Sequence, residues 1–174
     1  MYYRQVRVVS VSAGEFASMV MKKDMVIDAL ESTASDVQRT LKPLPPDALT
    51  WKQGENWSLV EVFVHLQTVQ EMFGRRFRRL VDEDNPAIVG ENPANDPNRI
   101  APEIIGQWQA ARSELCTWLA TLPPGAWNRH GDHNERGRIT LRSEAQVLID
   151  HDTEHLNQIM DIRRAWESRD NTHD

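Results

Sequence analysis

Two histidines towards the C-terminal end of the sequence have the spacing of a metal-binding pair on a helix. His151 and His155 are four residues apart, so on an α-helix their imidazoles lie one turn apart on the same face. Apolar residues continue the same face, with Leu148 before the pair and Ile159 after it. Two imidazoles at this spacing can each direct one nitrogen towards a shared metal ion. The pattern therefore predicts that both side chains point into the core.

A third histidine lies on a similar apolar stripe earlier in the chain. His65 falls between Val62 and Val69, at spacings of three and four residues. A third imidazole from a neighbouring helix would complete a three-histidine site that leaves one coordination position open, as catalytic metal sites do. The alternative is that each histidine is a hydrogen-bonded residue of the core. The spacing alone leaves both interpretations open.

The other candidates for chemistry are weaker. His130 and His133 lie in a polar, glycine-containing segment that we expect to be a surface loop, and His173 is expected to be incidental. Cys116 falls near the apolar side of a predicted helix, which favours an inert buried thiol. Polar residues flanking the histidine pair could accept hydrogen bonds from the ring N–H groups. These residues are Asp150, Asp152, Glu154 and Gln158, with Glu61 one turn before His65.

Apolar periodicity predicts four long helices to position these residues. Their approximate ranges are 23–41, 58–81, 102–122 and 140–168. Ser58 and Glu61 form a capping-box pattern at the start of the second helix, and either Thr140 or Ser143 can cap the fourth. The arginines within residues 75–79 are interpreted as a solvated face of the second helix.

Four helices joined by two long connections favour an all-α fold, a four-helix bundle. No strand pair is expected. We assign residues 1–22 to a flexible N-terminal extension, residues 23–168 to the bundle and residues 169–174 to a tail.

Composition is consistent with one globular domain and excludes several classes of function. The chain has 174 residues, a formal net charge of −6 and one cysteine. An acidic balance opposes nucleic-acid binding, and one cysteine cannot form an internal disulfide. No apolar run reaches the roughly 18 residues of a membrane span, and no signal peptide is evident. We therefore expect a cytoplasmic protein without a nucleic-acid or membrane partner.

Segments in both halves of the chain resemble motifs of the DinB-like superfamily. Residues 56–66 (NWSLVEVFVHL) are similar to its W-S-x-x-E-x-x-x-H-L motif at the start of the second helix. Residues 150–159 (DHDTEHLNQI) resemble its H-D-x-x-H-x-x-Q-I motif on the last helix. Residues 122–127 and 137–141 resemble the loop before that helix. The motifs occur in the family order, and the resemblance covers roughly residues 24–167.

The resemblance implies an up-down-down-up bundle with one divalent metal ion held by His65, His151 and His155. It also implies a homodimer, because many members of the superfamily dimerise. Members include thiol-dependent S-transferases, a mycothiol-dependent maleylpyruvate isomerase and proteins classed as metal-dependent hydrolases. We therefore expect a metal-dependent hydrolase or a thiol-dependent S-transferase with a small-molecule substrate. The cofactors expected are zinc, nickel, iron or another divalent ion and, for transfer, a low-molecular-weight thiol.

Two other interpretations stay open on the sequence. The chain could be a non-enzymatic dimeric helical bundle in which the metal site is structural or vestigial. It could also be a sensor that binds a small ligand in the long loop from Asp82 to Arg99.

Overall fold

Four long helices form a bundle in the computed structural model, which describes residues 23–42 and 44–169. The long helices are α1 (Lys23–Leu41), α3 (Leu59–Asp82), α4 (Ile104–Thr121) and α5 (Leu141–Ser168). A short helix, α2 (Pro46–Thr50), lies between α1 and α3. The predicted extension, residues 1–22, and residues 170–174 of the predicted tail lie outside the described residues. No helix of the described part is both long and apolar enough to cross a bilayer.

The contacts between helices define an up-down-down-up order. The Lys23 ammonium at the start of α1 donates to the carbonyl oxygen of Ala120 at the end of α4, so these helices are antiparallel. The second half of α3 packs beside the first half of α5, which makes this pair antiparallel too. Near their N-terminal ends α3 and α4 meet edge to face through Phe63 and Trp108, so they run parallel. The predicted topology is confirmed.

The apolar faces of the helices form a buried cluster towards each end of the bundle. One contains Phe77 and Trp127, and the other contains Phe63 and Trp108. Each side chain of this size contributes roughly 1.5–3 kcal/mol when fully buried. His65 lies between the buried residues Val64 and Leu66, so the second cluster fixes the part of α3 that carries this imidazole.

Both capping predictions describe real helix starts. The Ser58 hydroxyl accepts a hydrogen bond from the Glu61 backbone N–H, and the Glu61 carboxylate accepts one from the Ser58 backbone N–H. Thr140 is the N-cap of α5. Its hydroxyl accepts a hydrogen bond from the Ser143 backbone N–H, and the Ser143 hydroxyl accepts one from the Thr140 backbone N–H. These boxes satisfy backbone groups that a helix end leaves unpaired. They set the helical phase of both elements that carry the histidines.

A three-stranded sheet lies where the sequence predicted loops, so the expectation of no strand pair is wrong. Strand β1 (Ala87–Ile88) pairs in parallel with β2 (His130–His133), and β2 pairs antiparallel with β3 (Gly137–Thr140). The strands have only two to four residues each, which is too short for periodicity to detect an alternation of apolar and polar residues. Gly137 has a φ of 68°, which a glycine adopts without strain at the end of the hairpin turn.

Close packing at Gly131 gives a stability prediction. A Cβ at this residue of β2 would lie 2.6 Å from the carbonyl oxygen of Pro86 and 3.0 Å from Leu80 Cδ2. We expect Gly131→Ala to lower the free energy of unfolding by roughly 1–3 kcal/mol, measured by urea denaturation. A Cβ at Gly74 within α3 would meet nothing within 4 Å. Gly74→Ala should therefore raise the free energy of unfolding by roughly 0.5–1 kcal/mol. Shifts of the same sign in the two variants would contradict the prediction.

Candidate metal centre

The structure brings together the three histidines that the sequence selected. The Nε2 atoms of His65 on α3 and His151 on α5 are 3.1 Å apart. One nitrogen of each of these rings and of His155 lies within 4.8 Å of the other two. In a tetrahedral zinc site, metal–nitrogen distances of roughly 2.0–2.1 Å place the ligand nitrogens about 3.3 Å apart. The three half-buried imidazoles therefore lie close to the arrangement that a single ion requires.

Gln158 orients the imidazole of His155. The Nδ1–H group of His155 donates to Gln158 Oε1 at 2.7 Å. Because an amide oxygen only accepts, this bond places the ring proton on Nδ1 and leaves the lone pair on Nε2. A hydrogen bond to the second ring nitrogen is the usual way in which proteins orient a metal-binding histidine.

Asp152 occupies the corresponding position beside His151. Asp152 Oδ1 lies 3.5 Å from His151 Nδ1, and Oδ2 lies 2.7 Å from Nη1 of Arg112. Both charged side chains are 1% exposed. Of the four polar residues that the sequence proposed around the pair, the structure places Asp152 and Gln158 at ring nitrogens. Asp150 and Glu154 are exposed.

The sequence interpretation missed the buried partner of Asp152. Arg112 on α4 donates through Nε to Gln70 Oε1 on α3 at 2.5 Å and through Nη1 to the Leu30 carbonyl oxygen on α1 at 3.3 Å. With Asp152 on α5, its guanidinium contacts all four long helices. A signal was present, since Arg112 lies four residues after the buried Trp108 and three before the buried Leu115. Helical phase thus places it on the core face despite its charge.

Burial disfavours the charged form of two imidazoles of the centre, those of His65 and His155. It lowers the pKa of His65 to about 4, and the nearby rings of His155 and His151 lower it further by repelling a positive charge. Burial also lowers the pKa of His155, against the opposing effect of its bond to Gln158. Neutral imidazole is the form of histidine that binds a metal ion.

A tryptophan covers the centre, and a cavity adjoins it. The Trp57 indole lies 5.3 Å from the ring of His65 and 6.5 Å from that of His155, stacked on the latter at 10°. It is 37% exposed, so one side of it faces solvent. A cavity of about 210 Å³ lies against Trp57 and Gln158. Both residues contact His155, so the cavity lies beside the histidine cluster, separated from it by these two side chains.

The prediction that His130 and His133 are surface residues is wrong for His133. Its side chain is buried, and its Nδ1 accepts hydrogen bonds from the backbone N–H groups of Glu135 and Arg136. Burial, and then the Arg136 charge, lowers the pKa of His133. His130 is half-buried. Neither belongs to the metal-competent group found among the described residues, and His173 lies outside them.

The arginine run is solvated only in part. Arg76 is buried and pairs at 2.7 Å with Glu144 on α5, which also pairs at 2.8 Å with Arg136 of the hairpin. The interpretation of a fully solvated face is therefore wrong for Arg76. It lies three residues after Phe73 and next to Phe77, on the buried side of α3. The other arginines of the run are exposed.

Cys116 is buried, as predicted, and this gives a test of its reactivity. Burial raises the pKa of its thiol to about 11. We expect no reaction with a thiol-specific disulfide reagent at pH 8 in the native protein, and one reactive thiol per chain in guanidinium. Because the pKa is higher in the folded state, the free energy of unfolding should fall as pH rises above about 9. Rapid labelling of the native protein would contradict the prediction.

Comparison with known proteins gives a family and a solved structure. The sequence model of the DinB superfamily matches residues 29–159. The structure is similar to that of YfiT from Bacillus subtilis, described as a probable metal-dependent hydrolase with an unusual four-helix bundle topology. The TM-score is 0.68 at 17% sequence identity, covering 95% of this chain and 94% of the other. No curated protein matches. Because the family match spans most of its length, this chain belongs to the DinB superfamily.

Proposed function

We propose that the protein is a metal-dependent hydrolase in which His65, His151 and His155 bind one divalent ion. The observation that carries this proposal is the convergence of three half-buried imidazoles from two helices beside a cavity. The description of YfiT as a probable metal-dependent hydrolase supports the reaction class.

The donor set fits a catalytic ion. Imidazole nitrogen suits zinc, nickel, iron and copper, and a protein site with three such donors leaves a position for water or substrate. The metal-competent group among residues 23–42 and 44–169 consists of the three imidazoles. The lowered pKa values of His65 and His155, and the bond from His155 to Gln158, prepare these two imidazoles for coordination.

The residues around the centre have separate tasks in hydrolysis. A bound divalent ion would supply Lewis acidity, which lowers the pKa of water enough to give a nucleophile at neutral pH. Gln158 and Asp152 hold the rings of His155 and His151 in place. Trp57 covers the rings and limits the access of bulk water, while the cavity beside it has room for a small substrate.

Metal content tests the site. We expect protein purified without nickel resin to contain about one divalent ion per chain after incubation with zinc and desalting. The His151→Ala/His155→Ala variant should contain almost none. His130→Ala is the matched control, because this half-buried histidine lies outside the group and should leave the metal content unchanged. Equal metal content in the double variant and the wild type would exclude the site.

Activity tests the reaction class. Small esters and amides should be hydrolysed by the metal-loaded protein, and a chelator should abolish the activity. Turnover that requires an added low-molecular-weight thiol would replace hydrolysis with S-transfer at the same histidines. If the metal-loaded protein turns over neither the esters and amides alone nor any substrate in the presence of the thiol, the result would favour the non-enzymatic bundle.

A further inference from the structure

We propose that the cavity beside the histidine cluster binds an organic cation, so that the substrate carries an ammonium group. Binding of the cation does not depend on the proposed function. The conclusion that the bound molecule is a substrate does rest on it. Two aromatic walls, one carboxylate and the position of the cavity carry the inference.

The aromatic walls are the indoles of Trp51 and Trp57. Trp51 is held from behind by Trp166, with ring centroids 5.8 Å apart and planes at 74°. Trp57 packs on the rings of His65 and His155. The face of an indole attracts a cation through its quadrupole, and aromatic walls are the usual means of recognising an ammonium group that offers few hydrogen bonds.

The charge of the lining also favours a cation. Among the described residues that line the cavity, Asp161 alone carries a charge. The other polar side chains of the lining are uncharged amides, those of Gln53, Asn56 and Gln158. Asp161 pairs with Arg164 at 2.7 Å, but the two side chains are 68% and 70% exposed. An ion pair as exposed as this contributes little, so a ligand cation can take the place of Arg164.

The position of the cavity connects binding to the centre. Gln158 lines the cavity and also accepts the hydrogen bond from His155. Trp57 lines the cavity and also stacks on His155. An ammonium group in this cavity would therefore be separated from the imidazole of His155 by the side chains of Trp57 and Gln158 alone. The substrate class is a small molecule whose hydrolysable bond lies close to an organic cation.

Choline and 3,3-dimethylbutan-1-ol form a matched pair of probes, since they differ in the charge of the central atom of the trimethyl group. The titration uses metal-free protein at constant ionic strength and follows the indole N–H resonances by NMR, assigned through Trp51→Phe and Trp57→Phe. We expect choline to bind about 3- to 10-fold more tightly than the alcohol, with saturable shifts at Trp51 and Trp57. Equal affinity for the two probes would overturn the proposal, as would choline shifts confined to other indoles.

Variants locate the charge that binds the probe. Asp161→Asn should weaken choline binding about 2- to 5-fold and leave the alcohol unaffected, while Arg164→Gln should strengthen choline binding by removing the competitor. Asp150→Asn, an exposed residue of the same helix, is the control and should change neither affinity. A choline affinity unchanged in Asp161→Asn would overturn the proposal. Choline binding without metal binding would refute only the proposed function, and metal binding without choline selectivity would refute only this inference.

Discussion

Replacing Arg112 with methionine should lower the free energy of unfolding by about 3–5 kcal/mol, because it leaves a buried carboxylate without its counter-ion. Asp152 is 1% exposed, and its Oδ2 lies 2.7 Å from the Arg112 guanidinium. In Arg112→Met the charge of Asp152 must either remain buried and unpaired or take up a proton, and both cost free energy. Urea denaturation at pH 7 measures the loss.

A second substitution separates the buried charge from lost packing. Arg112→Met/Asp152→Leu removes both charges, so it should be more stable than Arg112→Met alone. Recovery should be partial, because Gln70 Oε1 still loses the donor that lies 2.5 Å away in the native protein. Arg164→Met breaks an exposed ion pair and should cost less than about 1 kcal/mol. Similar losses in Arg112→Met and Arg164→Met would contradict the prediction.

The same ion pair has a role that stability does not explain. Apolar side chains of similar size often stabilise a core as well as a buried ion pair does. Asp152, however, also reaches Nδ1 of His151 with its other carboxylate oxygen. Arg112 therefore restrains the carboxylate, and the carboxylate restrains an imidazole of the centre. This link makes the stability of the core and the orientation of His151 interdependent.

Helical phase explains why the histidine cluster could be predicted from sequence. The spacing of three and four residues determines which way a side chain points once a helix forms, and the capping boxes fix where α3 and α5 begin. His65, His151 and His155 all fall on apolar stripes, so packing two amphipathic helices against one core brings them together. The same reasoning predicted the four long helices.

Features that depend on pairing between distant segments could not be predicted in this way. Helical phase places Arg112 on the core face, but it does not reveal that Asp152 is the partner of its buried charge, since both are residue types normally found in water. His133 is buried by strands too short to show a pattern. Trp57 belongs to a loop, and no periodicity indicates which side of the bundle its indole covers.

Zinc should raise the melting temperature of the chelator-treated protein by roughly 8–16 °C when its free concentration is 1,000 times the dissociation constant. At that ratio, ligand binding stabilises the folded state by about 4 kcal/mol. Each kcal/mol shifts the melting temperature of a domain of this size by about 2–4 °C. Scanning calorimetry across a series of buffered zinc concentrations measures the shift, and His155→Ala should show almost none of it.

Gln158 gives the sharper test of the same centre, because it would influence a bound ion only through His155. Gln158→Leu removes the acceptor for the His155 Nδ1–H group and should weaken zinc binding by about 10- to 100-fold. Gln158→Glu keeps an acceptor at the same place and should retain the wild-type affinity or exceed it. An unchanged affinity in Gln158→Leu would show that packing alone orients His155. Equal losses in the two variants would show that the side chain serves the cavity wall rather than the imidazole.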